Sequence, residues 1–226
     1  MPDNNNNTAR VAALPTGFAE LDVRLPGGGW PRGALTEIIA ERLSVGELRL
    51  LTPAAARLTR EGRWLALIAP PCGSAAAMLA AQGANPARLL VMRPETAQEK
   101  LRVCEQVVRA GHCGMVLFWP GALSERDART LAQAAASSGT AGFLLHTGQA
   151  ARASAATLRL SLAGRGSRAA VRILQAGDGS VPIAAPVMLD LFMGNTGAGR
   201  HPLVSSAVRR PRYERPAALA AMPVPV

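Results

Sequence analysis

Lysine is nearly missing from this chain of 226 residues: of its 25 basic side chains, only Lys100 is not arginine. Chemistry that requires a lysine must therefore run through Lys100 or be absent. Cysteine is scarce too. Cys72, Cys104 and Cys113 cannot build a disulfide framework, and His112-Cys113 with two distant histidines gives no zinc-ligand spacing. No apolar run of about 18 residues is free of charges or turn signals, so no membrane span is expected. The opening MPDNNNNTAR has no apolar segment behind a basic start, which argues against a secretory signal. A reduced, cytoplasmic setting follows as the expectation. Acidic residues are also short, 15 against 25 basic ones, leaving a formal charge of +10. What is abundant is apolar: 49% of the chain, enough for the core of one domain plus tails. The arginine and alanine bias also suits a GC-rich coding sequence.

Residues 1–12, with four consecutive Asn, offer nothing to bury and read as a disordered lead-in. LPGGGWPR (25–32) reads as a structured loop around Trp30. Strand and helix patterns then alternate. ALTEII (34–39) is a short strand, and apolar residues at Leu48, Leu51, Ala55 and Leu58 mark a helix over 45–61. WLALIA (64–69) is a continuous apolar run, as expected of a strand buried on both faces. The pattern continues with helix 74–83, strand 88–92, helix 96–111, strand 114–119, helix 124–138 and strand 141–146. Such alternation predicts right-handed crossovers and a mainly parallel α/β sheet flanked by helices. TLRLSL (157–162) and AAVRIL (169–174) then alternate apolar with polar, predicting a half-exposed antiparallel hairpin at the sheet edge. VMLDLF (187–192) reads as one more strand. The expected domain spans 13–192. Residues 193–226 form a basic, Pro-rich tail, with Arg200, Arg209, Arg210, Arg212 and Arg215 against the single acid Glu214.

The strand–loop–helix at 34–61 is where a doubly wound fold places a phosphate-binding loop. A working loop of that kind needs Gly-x-x-x-x-Gly-Lys followed by Ser or Thr: glycines wrap the phosphate, lysine neutralises it and the hydroxyl holds magnesium. Here the segment reads AERLSVGELRLL. Ala40 or Glu41 stands near the first glycine's place. Gly46 is kept, Glu47 replaces the lysine, and Leu48 replaces the hydroxyl. A carboxylate aimed at a triphosphate is repulsive, so no nucleotide cofactor and no nucleotide hydrolysis are expected.

The segments that carry this degenerate loop resemble the RecA family. LPTGFAELDVRLPGGGWPRGALTEII looks like the start of a RecA-type core, and EGRWLALIA, ARLLVMRPET and AQEKLRVCEQVVRAGHCGMVLFW resemble its following steps. In an active RecA-type ATPase the strand like WLALIA leads to a catalytic glutamate and the strand like GMVLFW to a magnesium-orienting aspartate. Here those places read APPCG and WPG. The resemblance covers about residues 14–175 and implies a RecA-like core without ATPase chemistry. LPGGGWPRGALTEII, GELRLL, EGRWLALIAPP and ARLLVMRP together are similar to the ImuA family, the RecA-like and SulA-like accessory proteins of translesion DNA synthesis. That narrower resemblance implies an SOS-induced adaptor, with an ImuB-like hub, RecA and an error-prone DNA polymerase as partners. Residues 63–147 also resemble SulA, the SOS division inhibitor that binds FtsZ. The longer start at 15–33 favours the ImuA-like alternative.

Several residues have two readings. Arg209, Arg210, Arg212, Tyr213 and Arg215 could grip phosphates and stack on a base, stay solvated, or dock a partner protein. Trp119 stands where an ATPase keeps its aspartate, so it either fills the old site or simply packs in the core, and Trp30 shares that choice. Glu47 either pairs with Arg42 or Arg49 or is a helix-start acid favoured by the dipole, and the dipole suffices. Cys104 reads as a small buried hydrophobe. Cys72, at a strand's C-terminal end, lacks a histidine that sequence can place beside it. Ser167 has no strand-to-helix elbow, which excludes a serine hydrolase.

Overall fold

The motif Thr16-Gly17-x-x-x-Leu21-Asp22 folds into a small self-capped unit. The backbone N–H of Thr16 donates to the Asp22 carboxylate at 2.9 Å, and the Phe18 N–H donates to the Thr16 hydroxyl at 3.0 Å. Between these contacts lies a one-turn helix, α1 (Ala19–Asp22), which buries Leu21. Leu14 and Trp30 then exchange two backbone hydrogen bonds, 2.8 and 2.7 Å long. Gly29 makes this closure feasible, because a Cβ there would lie 2.4 Å from the Leu14 carbonyl oxygen. The structure is a computed structural model, and it describes residues 13–41, 46–148, 154–165, 168–177 and 185–191. All of them fall in the first of two compact units, Met1–Asn195; the second, Thr196–Val226, lies outside the described residues, as do residues 1–12 and the 193–226 tail.

The elements follow the alternation read from the sequence. β1 (Ala34–Ala40), α2 (Gly46–Arg60), β2 (Trp64–Ile68), α3 (Ala75–Ala81), β3 (Leu89–Met92), α4 (Ala97–Ala110), β4 (Cys113–Phe118), α5 (Glu125–Ser138) and β5 (Ala141–Thr147) succeed one another. β6 (Leu158–Arg165), β7 (Arg168–Ala176) and β8 (Val187–Asp190) complete the chain order. Capping chemistry sets the helix ends. Thr96 and Glu99 form a reciprocal capping box at the start of α4, and Gly111, with φ +68°, closes it. Ser124 accepts from the Asp127 N–H at the start of α5. A one-turn 3₁₀ helix, Pro86–Arg88, precedes β3. It and α1 are too short to leave a periodic signature.

The eight strands form one sheet in the order β3-β2-β4-β5-β1-β6-β7-β8. All pairs from β3 to β6 are parallel, and β6-β7 and β7-β8 are antiparallel. β1 is therefore central, flanked by β5 and β6. The predicted hairpin joins the sheet beside β1, and β8 continues beyond it. Ile38 and Ala40 of β1 share a buried cluster with α2 and α3, while Leu35 shares the opposite one with α4 and α5. The first cluster runs under the whole sheet, reaching Leu160, Val171, Ile173 and Leu189. Trp30, 0% exposed, is seated in it edge-on to Phe143, with ring centroids 5.4 Å apart.

Ala69, just after β2, carries a φ of +54°, and it is the one non-glycine residue with positive φ among those described. That conformation costs an L-residue roughly 1–2 kcal/mol, which glycine avoids at the expense of a more flexible unfolded chain. Ala69→Gly is expected to raise stability by roughly 0.5–1 kcal/mol. A higher urea midpoint at unchanged slope would show it.

Candidate functional site

The segment expected to cradle a phosphate runs from the end of β1 to the start of α2. Ala40 closes β1 and is buried; Glu41 is exposed; Gly46 opens α2. Glu47, in the first turn, is 1% exposed, and Leu48 is buried in the core beside Leu50 and Leu51. Arg42 and the rest of 42–45 lie outside the described residues. The burial of Glu47 corrects the expectation that the helix dipole alone accounts for it. A carboxylate removed from water needs compensation beyond the few tenths to about 1 kcal/mol that a helix start gives a surface acid.

The neighbouring strand ends complete the picture. Trp119 follows β4, is 4% exposed, and belongs to the same buried cluster as Ala40 and Leu48. Its backbone N–H donates to the Ile68 carbonyl at 3.1 Å, tying the ends of β2 and β4 together. The core-packing reading fits this burial: the indole lies in the cluster on the side of the sheet on which α2 packs. After β2 the chain passes Ala69 and the buried Pro70 to an exposed loop holding Cys72 and Ser74. The Ser74 hydroxyl donates to Cys72 Sγ at 3.5 Å.

Among the described residues no cysteine–histidine pair is assembled. His112 is exposed just before β4, at the opposite end of the sheet from Cys72, and His146 is engaged by another residue. Burial pushes the Cys113 thiol up to about 11 despite the Arg63 charge. Cys104 is pushed up further, by burial first and by the Glu105 charge second, so both thiols stay protonated and unreactive. Among the described residues no group of three or more His, Cys, Asp or Glu side chains is placed to hold a metal ion. No described helix is long and apolar enough to cross a membrane. Ser167 and the tail residues Arg209, Arg210, Arg212, Tyr213 and Arg215 lie outside the described residues.

Sequence reasoning missed one cluster. Glu37 of β1 is 5% exposed; its carboxylate accepts a hydrogen bond from Arg159 of β6 and lies 2.8 Å from His146 Nε2 of β5. Burial raises the Glu37 carboxyl, but the bonds and charges of His146 and Arg159 outweigh it and hold the group below its ordinary value. The register explains the meeting: Glu37 lies directly opposite Arg159, and Ile39 lies opposite His146. The available signal was an acid inside ALTEIIA and a base inside LRLSL, both in otherwise apolar strands. Sequence alone could not say that these strands are neighbours. Beyond the trio, towards the C-terminal ends of β1 and β5, an open cleft of about 410 Å³ is lined by Ile39, Glu41, Gly148, Ser161 and Leu174, among others.

Residues 1–128 match the family model of the RecA N-terminal domain. The chain is similar to Protein RecA of Oceanobacillus iheyensis, with 30% identity over 112 residues, covering 50% of this chain and 32% of that protein. It is also similar to Protein RecA of Herpetosiphon aurantiacus, with 33% identity over 107 residues, covering 47% of this chain and 30% of that protein. The chain thus spans about a third of the length of these curated relatives. The crystal structure of SulA from Pseudomonas aeruginosa matches with 26% identity and a TM-score of 0.43, over 50% of this chain and 98% of that one.

Proposed function

The chain belongs to the RecA N-terminal domain family, and from that premise we propose that it is a non-catalytic, cytoplasmic accessory protein of SOS-induced, error-prone translesion synthesis. It acts as an adaptor, docking an ImuB-like polymerase-family hub, RecA, or both. The observation that carries this reading is the state of the phosphate-loop region. Glu47 is buried where a nucleotide site needs a lysine, and Ala40, Leu48 and Trp119 are core. A carboxylate in the lysine's place does not neutralise a triphosphate, and Leu48 brings no hydroxyl to the place where one would hold magnesium.

The docking half of the reading draws support from the sheet edge. β3 reads LLVM, its four residues are all partly exposed, and no described strand pairs with its outer side. An apolar edge without charge, proline or bulge invites another strand. The RecA-like fold would in this way keep its contact surfaces while losing its chemistry.

Two measurements test the proposal. Calorimetry with ATP and magnesium is expected to show no saturable binding, and micromolar affinity would overturn the non-catalytic assignment. A pull-down with the full chain is expected to capture an ImuB-like protein or RecA, and capture of neither would end the adaptor reading. A second reading, direct DNA contact through the tail, is favoured by the +10 charge and by the five arginines between 200 and 215. Deleting 194–226 separates the two. Loss of DNA affinity and of its salt slope with partner binding intact marks a nucleic-acid arm, and the reverse marks a docking segment.

A further inference from the structure

A parallel sheet is ordinarily covered by helices on both faces, because its strands are apolar on both. Here α4 and α5 cover one face only over β2, β4, β5 and the start of β1, where they build a buried cluster with Leu35 and Leu144. On that same face no described helix lies over β6, β7 and β8. Their other face is fully used, with Leu160, Val171, Ile173 and Leu189 in the main core.

The uncovered face has a definite chemistry. Register sets Ser161 opposite Arg172, Ala163 opposite Ala170 and Ala170 opposite Met188, with Arg168 opposite Asp190 at the outer end. Met188 is 62% exposed, Arg168 and Arg172 are exposed, and the small residues between them are partly exposed. The hairpin Leu158–Ala176 contains no acidic residue at all. Towards β1 the face runs into the cleft of about 410 Å³, where Ile39 and Leu174 offer apolar walls and Glu41 stands on the rim.

We propose that this face docks an acidic amphipathic helix of a protein partner, which supplies the helical layer the sheet lacks. The inference rests on the adaptor reading and gives it a second surface, at the other end of the sheet from β3. Small side chains at Ser161, Ala163 and Ala170 allow a helix to approach closely. Its apolar stripe lies on Leu174, Met188 and the cleft, and its acidic flank meets Arg168 and Arg172. A nucleic-acid strand fits less well. Among the described residues the face has no aromatic side chain on which bases could stack, and a phosphate backbone gains nothing from an exposed methionine.

Fluorescence anisotropy on the full chain tests this with four probes: a labelled peptide with Leu at i, i+3, i+4 and i+7 flanked by Glu, its Gln counterpart, a scrambled version and a single-stranded oligonucleotide. The acidic amphipathic peptide is expected to bind at least about tenfold more tightly than the scrambled one, and more tightly than the Gln peptide. Arg172→Glu and Met188→Glu are each expected to weaken it about tenfold or more with an unchanged melting temperature, since both side chains are exposed. Equal binding of the scrambled peptide, or wild-type affinity in both variants, would overturn the proposal. So would an oligonucleotide that displaces the peptide and loses its own binding in Arg172→Glu. Repeating the partner pull-down with these variants separates the two levels. If the wild-type chain and both variants capture the partner equally, the docking face falls and the adaptor reading stands. If the wild-type chain captures neither partner while the peptide binds as expected, the adaptor reading falls and the face stands.

Discussion

Trp30→Ala is expected to lower the free energy of unfolding by about 3–5 kcal/mol. The indole is fully buried, packs edge-on against Phe143, and is held at its backbone by two hydrogen bonds to Leu14. Truncation removes a large area from the core, and the gap cannot close easily because Gly29 already brings the Leu14 backbone to its closest approach. Two effects therefore add: the lost transfer free energy of the ring and the cavity it leaves. Denaturant unfolding followed by far-UV circular dichroism measures the change, and Trp30→Phe is expected to recover roughly half of it. A loss below about 1 kcal/mol would show that the loop folds around another anchor.

Glu37→Gln is expected to cost about 3–5 kcal/mol at about pH 7, for a different reason. The substitution is nearly isosteric, so packing survives. Arg159 loses the carboxylate it is paired with, and removing one member of a buried ion pair is the expensive outcome. The pair need not have been strongly stabilising for its rupture to be costly. Arg159→Met in the Glu37→Gln background is expected to restore part of the loss, and a double-mutant cycle isolates the coupling. Acid provides a second signature. The Glu37 carboxyl lies below its unfolded value of 4.5, so its contribution is complete above that value and is lost as pH falls through it towards the folded value. Wild-type stability should decline over that acid range more steeply than that of Glu37→Gln. Identical profiles would show that Glu37 is not ionised in the native sheet.

Much of the fold was legible because two periodicities alternate cleanly along residues 34–147. Helix ends were legible where chemistry marks them, as at Thr96, Ser124 and Gly111. α1 was not, since four residues hold barely one turn, and its stability comes from Thr16 and Asp22 closing on each other rather than from a pattern. The phosphate-loop region was legible as a set of departures: Glu47 for lysine, Leu48 for a hydroxyl, Trp119 for an aspartate. The burial of Glu47 was not, because a charged residue near a helix start is ordinarily a surface residue. The Glu37–His146–Arg159 trio was invisible for a topological reason. Its members are spread over 122 positions, and only the strand order β5-β1-β6 brings them together.

That strand order also governs how the protein is made. β1 precedes every other described strand, and its neighbours β5 and β6 lie about a hundred residues downstream. At roughly 5–20 residues per second, an emerging chain carries an apolar, unpaired β1 for about 5–20 seconds before either partner exists. Trp30 waits equally long for Phe143. The central strand of the finished sheet is thus the most vulnerable segment of the nascent one, and its protection during translation falls to whatever meets the chain outside the ribosome.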